Sequence, residues 1–351
     1  MAILYLIEQN SILRKRGERL LVCRRPPASR RYSAVLQKDI IRDFPAADVD
    51  HVMLFGNIQV TTAAMHSMLR NGIEMAVFTS GGKLMGQLTP PMGKNIPLRI
   101  SQFRRYEDSQ FVLEFSRQIV KAKIANAQTL LTQFRANHPT VFTPSDLKFF
   151  KQMLSRAERC ENLETLRGIE GSAAAHYFGL FGKLFEQPGM FAGRTRRPPQ
   201  DPVNAVLSFG YVVTGSQIQW FLDGVGLDPY LGFFHAIDYG RPSLALDMLE
   251  EFRHSFVDSL AVKLFNQRIL KESDFYHPPG GGVYLNTRGK QKFFTHYQKM
   301  LGEISLLHVD QSPEDFPVES KGYLSLFQRQ VHRLIRTIQE GVPYRPFVIE
   351  K

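Results

Sequence analysis

Between His235 and Arg253 the chain reads HAIDYGRPSLALDMLEEFR, an imidazole followed by Asp247 and Glu250 three residues apart. Three residues is close to one helical turn, so in a helix both carboxyl groups project from one face. Upstream, an isolated Glu170 stands in LRGIEGSAAAHYF. Carboxylate oxygens with one imidazole suit a hard divalent ion, Mg2+ or Mn2+, and the imidazole tilts the preference towards manganese. No thiolate accompanies them, which makes zinc less natural. Such an ion polarises a phosphodiester and lowers the pKa of an attacking hydroxyl. The surrounding chain is basic, with 44 Lys plus Arg against 33 Asp plus Glu, a net charge of +11 and a pI near 9.6. A carboxylate-held cation inside a positive surface is what phosphodiester chemistry on nucleic acid requires.

The elements that must position these residues are legible in outline. A helix through the Glu170 stretch carries an apolar stripe of Leu163, Leu166, Ala173, Ala174 and Tyr177, and Glu170 falls within it. An unpaired buried carboxylate costs several kcal/mol or gives up its charge, so a partner must exist. A salt bridge to an arginine and a bound metal ion are both open. In the 243–260 helix the stripe is Leu246, Leu249, Phe252, Phe256 and Leu260, with Asp247 and Glu250 along its edge and Asp258 continuing the same side. A solvated acidic face is the alternative to a ligand pair there. His235 follows LGFF and precedes the loop AIDYGRP, where Pro242 and Ser243 start the helix. In GRTRRPPQDPVNAVLSFGY, Pro198, Pro199 and Pro202 keep Arg194, Arg196 and Arg197 out of helix, and Asp201 is placed to cap the next one. Arginines on such a loop grip phosphates bidentately, or the loop is simply exposed surface.

The first part of the chain reads as β structure, with short runs ILYLIE, RLLVC, VMLFGNIQV, EMAVFT and KLMGQL. Turns at Arg16-Gly17, Gly56-Asn57 and Gly81-Gly82 separate them. One short helix interrupts the strands, capped by Thr61 or Thr62, with Met65, Met68 and Leu69 inward and Gly72 as its stop. From about Leu98 the spacing turns helical, first in FVLEFSRQIVKAKIANAQTLLTQF and then around 145–158, 161–185, 202–221, 243–272, 288–302 and 319–340. Pro90, Pro91, Gly93 and Pro97 mark a linker between the two regions. The expected organisation is α+β, a small β domain over 1–97 and a larger helical domain over 98–351. Basic residues cluster at Arg14–Arg19, Arg24–Arg31, Arg99–Arg105 and Arg194–Arg197, which favours polyanionic partners. Cys23 and Cys160 are the only cysteines, which excludes a disulfide framework. No apolar run reaches membrane-span length and the start lacks a basic signal-peptide opening, so a cytoplasmic protein is expected.

RTRRPPQDPVNAVLSFGY, HAIDYGRPSLALDMLEEFR and the glutamate of LRGIEGSAAAHYF resemble, in order, motifs of the CRISPR-associated integrase of spacer acquisition, the Cas-one family. VMLFGNIQVTTAAMHSMLRNGIEMAVFTSGGKLMGQL is similar to that family's β domain, and LRISQFRRYED to the start of its helical region. The resemblance runs from about Leu4 to Pro346. It implies an amino-terminal β-sandwich, an all-helical catalytic domain, a homodimer and a complex with the small partner of the pathway (the Cas-two family). It also implies an Mg2+- or Mn2+-dependent activity that inserts short DNA duplexes into the leader–repeat junction of a CRISPR array. Position by position, Glu170, His235 and Glu250 match the family's metal ligands, and Asp247 its additional acidic residue. Arg253 falls where a basic residue often lies near the reacting phosphate. Arg194, Arg196, Arg197, Arg241 and Arg253 are the expected DNA contacts. The family's last ligand is commonly aspartate, and Glu250 departs from that pattern by one methylene. A structure-selective DNA nuclease using the same ligands with water as nucleophile is the alternative activity, and a DNA-binding scaffold the non-enzymatic one.

Overall fold

The computed structural model describes residues 3–24, 39–80, 84–89, 95–139, 141–187, 189–302 and 322–349. The expected Gly81-Gly82 turn, the linker residues Pro90, Pro91 and Gly93, and most of the Arg24–Arg31 cluster lie outside them. The chain divides into two compact units. One comprises Met1–Met92 with Leu285–Phe294, the other Gly93–Tyr284 with Thr295–Lys351.

The first unit holds two four-stranded sheets. Strands β1 (Ile3–Leu6), β5 (His51–Phe55), β7 (Glu74–Phe78) and β8 (Leu84–Leu88) form one, in the order β1-β5-β7-β8, and only the β7–β8 pair is antiparallel. The other runs β4-β3-β2-β6, from β2 (Ser11–Arg16), β3 (Arg19–Arg24), β4 (Ile40–Pro45) and β6 (Ile58–Val60). Gly17 and Glu18 make the two-residue turn of the β2–β3 hairpin, where Arg16 pairs with Arg19. Strand alternation puts Leu13, Leu20 and Val22 into a core shared with Leu6, Val52, Leu54 and Met75 of the other sheet. Ile12, Leu21 and Cys23 point the other way into a smaller cluster. Helix α1 (Thr62–Arg70) closes the main core with Ala64 and Met68, and Thr61 caps it by accepting from the Ala64 N–H. The chain changes sheet at Gly56, whose positive φ of 89° carries no Cβ because one would lie 2.3 Å from Gln9 Oε1. Phe294 joins this unit from far downstream, its ring 4.2 Å from that of Tyr5.

The second unit is built from α2 (Ile96–Glu107), α3 (Ser109–Asn137), α4 (Pro144–Glu158), α5 (Leu163–Phe181), α6 (Pro202–Val225), α7 (Ser243–Leu249) and α8 (Ser259–Asn266). Helix α9 (Thr287–Gly302) begins in the first unit and ends in the second, and α10 (Tyr323–Glu340) follows. Capping side chains start the five helices α2 to α6: Asn95, Asp108, Thr143, Asn162 and Asp201 each accept from the first turn. Among the described residues no helix is long and apolar enough to cross a membrane.

The continuous helix expected over 243–272 does not form: α7 stops at Leu249 and a π-helical turn occupies Arg253–Asp258 before α8. A π turn holds one residue more than an α turn, so it rotates the downstream residues by about 100°. Asp258 is thereby turned off the edge that an unbroken helix would give it, and none of Asp247, Glu250 and Asp258 lies on a solvated edge. All three are buried, as are Phe252, Phe256 and Leu260 of the expected stripe.

Candidate functional site

Glu170 lies about two turns into α5, on the same stripe as buried Leu166, Ala173 and Tyr177. Its partner is a lysine. Lys123 of α3 bonds Glu170 Oε1 through its ammonium, which also stands 2.6 Å from Glu250 Oε2. Only 11% of the Lys123 side chain is exposed. Arg253 Nε reaches the same Glu250 oxygen at 2.9 Å, and His235 Nε2 stands 3.7 Å from the other one. Burial pushes the Glu250 carboxyl up, but Arg253, Lys123 and His235 together hold it well below the usual carboxylate range. Arg253 is likewise raised, because Glu250 and Tyr211 outweigh its desolvation. The structure thus joins Glu170 and Glu250 through one ammonium, and sets His235 and Arg253 against Glu250. Among the described residues, no three histidine or carboxylate side chains converge as a ready-made ion cage.

Asp247 explains how His235 is aimed. Its Oδ2 accepts the Phe233 and Phe234 backbone N–H groups at 2.7 and 3.0 Å. Its Oδ1 accepts the His235 N–H at 2.9 Å and pairs with His235 Nδ1 at 2.7 Å. A carboxylate on Nδ1 takes the ring hydrogen bond there and fixes the ring with Nε2 turned toward Glu250. Asp247 is so close to the loop that a Cβ on Gly232 would lie 2.9 Å from Oδ2. Arg167, one turn before Glu170, adds a second tie by donating to Phe234 O at 2.8 Å.

Asp258 collects a second buried network. It accepts from Tyr211 OH at 2.5 Å, Tyr177 OH at 2.9 Å and His254 Nδ1 at 2.7 Å. Burial keeps both phenols protonated, so they remain donors. The face of Tyr211 is covered by Arg253, its Cζ 4.5 Å from the ring centroid, and by Arg194 at 5.6 Å.

The predicted arginines divide. Arg194 spends its guanidinium inside the fold, on Thr195 O, Asn204 Oδ1 and Ser208 Oγ. Arg196 and Arg197 are exposed, and Arg241 is half-buried on the loop before α7. Glu170, Gly171, Ala174, Phe178, Arg194 and Arg196 line a groove of about 510 Å³. Sequence reasoning missed Lys123, Tyr211 and Arg167. Lys123 did carry a signal: it sits between Ile119 and Ala127 on the buried stripe of α3, as Glu170 sits on that of α5.

The floor of the site is pinned by the last part of the chain. Glu251 accepts from Tyr344 OH and from the Phe347 N–H, each at 2.5 Å. Asn126, one turn beyond Lys123, donates to Glu251 O and Phe347 O and accepts from the Ile349 N–H. Burial raises the Glu251 carboxyl to about 8, over the lowering effect of Tyr344 and Phe347. Between the ordinary glutamate value and about 8, the unfolded chain has lost a proton that the folded chain keeps. Stability from this group therefore falls as pH rises through that window, by up to about 1.4 kcal/mol per pH unit, and levels off above it. Glu251→Gln is expected to match the parent chain in thermal unfolding at pH 5 and to exceed it at pH 8. A difference that does not vary with pH would count against this assignment.

The family profile described as "CRISPR associated protein Cas1" matches residues 4–299. The chain is 35% identical over 352 residues to "CRISPR-associated endonuclease Cas1 3" of Thermus thermophilus, covering 99% of this chain and 98% of that protein. Among solved structures, a casposase bound to integration product superposes with a TM-score of 0.82 at 19% identity, covering 100% of this chain and 96% of that one. A Cas6-RT-Cas1–Cas2 complex contains a chain of the same fold, with a TM-score of 0.80 at 21% identity, covering 100% of this chain and 36% of that one. The profile match over most of the length and the full-length relative agree, and this chain belongs to the Cas1 family of CRISPR-associated endonucleases.

Proposed function

We propose that this chain joins short DNA duplexes to a CRISPR array by direct transesterification, the 3′-hydroxyl of the incoming strand attacking a phosphodiester at the leader–repeat junction. The observation that carries this reading is the convergence of Glu170 and Glu250 on a single, largely shielded cation, with the His235 ring aimed at Glu250. Two carboxylates and an imidazole fit Mg2+ or Mn2+, and the Lys123 ammonium marks where positive charge is stable. Glu170, His235 and Glu250 would hold the ion, which supplies polarisation of the scissile phosphate and a lowered pKa for the attacking hydroxyl.

The remaining roles belong to the chain's own groups. Asp247 fixes the His235 tautomer and ring direction. Arg253, clamped between Glu250 and Tyr211, has its guanidinium plane set before substrate arrives, which suits it to orient a phosphate. Arg194 braces the loop from within, while exposed Arg196 and Arg197, with Arg241, grip the DNA backbone. Two strand transfers need two sites a fixed distance apart, which supports a homodimer. The fold shared with a chain of a Cas1–Cas2 complex supports assembly with the small partner. Such a protein works in the cytoplasm, beside its array.

The name of the full-length relative favours a second reading, endonucleolytic cleavage of branched or single-stranded DNA with water as nucleophile. A supercoiled repeat-containing plasmid, labelled oligonucleotides and the small partner separate the two. Label joined covalently to the plasmid is the expected result, and cleavage without joining would leave only the nuclease.

A further inference from the structure

Lys123 is the cation already present in the site, and its placement has a consequence for the metal. The ammonium bonds both carboxylates from the middle of α3, with its own side chain largely shielded from solvent. Asn126 ties the same stretch of helix to Glu251, Phe347 and Ile349, so the backbone that carries Lys123 is anchored. Without a counter-charge, Glu170 and buried Glu250 would repel one another. The lysine therefore holds the two carboxylates facing each other.

Mg2+ binds oxygen ligands at about 2.0–2.1 Å. The ammonium hydrogen-bonds to Glu170 Oε1 and stands 2.6 Å from Glu250 Oε2, and like charges at such separation repel strongly. Both cations cannot be held by Glu170 Oε1 and Glu250 Oε2 together. We infer that Lys123 is a resident counter-ion that the divalent metal must displace, so that the lysine preforms the site and at the same time weakens metal binding. The inference rests on Glu170 and Glu250 being metal ligands. The flexible four-carbon side chain lets the ammonium leave without movement of α3.

The test uses the full chain without DNA and Mn2+ alone as probe, with binding read from loss of the free-ion EPR signal and stability from thermal unfolding. Lys123→Met and, should that variant fold poorly, Lys123→Gln are expected to bind Mn2+ at least about tenfold more tightly than the parent. Without the ion both variants should unfold at lower temperature than the parent, and Mn2+ should raise their midpoints by more than it raises the parent's. Lys123→Arg, which keeps the charge, should bind no more tightly than the parent. Glu170→Gln should abolish the binding in every background. Equal or weaker Mn2+ affinity in the Met and Gln variants, with binding still dependent on Glu170, overturns the displacement and leaves the site. Absence of Glu170-dependent binding in all of them overturns the metal-ligand reading and the displacement with it.

Discussion

Glu170→Gln is expected to lower strand joining by at least about a thousandfold while changing DNA affinity by no more than about twofold. The substitution preserves shape and removes one charge from a pair that meets on a single cation. Polarisation of a phosphodiester by a held ion is worth several kcal/mol, and about 4 kcal/mol corresponds to a factor of 10³ in rate. DNA affinity instead resides in backbone contacts, for which Arg196 and Arg197 are the exposed candidates. Plasmid joining and equilibrium DNA binding, measured on the same preparation, check both halves. Joining that survives within tenfold would show that Glu170 is only the partner of Lys123, and the scaffold reading would then gain ground.

Asp247 should yield the second large effect, and its two substitutions should differ. Asp247→Ala strips the acceptor from the buried N–H groups of Phe233 and Phe234 and from the partly buried one of His235. Each orphaned group costs about 1–3 kcal/mol, so a loss of roughly 4 kcal/mol in denaturant unfolding is expected. Asp247→Asn keeps one acceptor and the shape, and should cost far less stability. It nevertheless releases the His235 tautomer, and loss of such an orienting partner typically lowers metal affinity or activity by about 10–100-fold. An Asn variant with unchanged joining would mean that the ring direction of His235 is set by something other than Asp247.

The sequence was most informative where one helix alone determines the environment. Glu170 among buried Leu166, Ala173 and Tyr177 reads as buried and in need of a partner; its side chain is in fact 21% exposed, but Lys123 does partner it. Asp201 before Pro202, and Thr61 before α1, announce helix starts through chemistry that acts within four residues. The 250s region was illegible for a complementary reason. Leu246, Leu249, Phe252, Phe256 and Leu260 keep a helical period across the break, so nothing in their spacing reveals the π turn at Arg253–Asp258. The supposed wet edge faces inward throughout, and Asp258, at the end of the turn, meets two tyrosines and a histidine from sequence positions up to 81 residues away. Arg194 was misleading in another way. Its proline-rich neighbours suggest an exposed loop, yet Asn204 and Ser208 of the following helix engage its guanidinium. Long-range pairing of that kind has no signature in local composition.

The carboxy-terminal segment gives the site an observer remote from it in sequence. The amide hydrogens of Phe347 and Ile349 are donated to Glu251 and Asn126, the two side chains that anchor the helices carrying Glu250 and Lys123. Exchange of these two hydrogens with deuterium requires that anchor to open. Their exchange times therefore report, without any substitution or bound DNA, how often the floor beneath the two carboxylates comes apart.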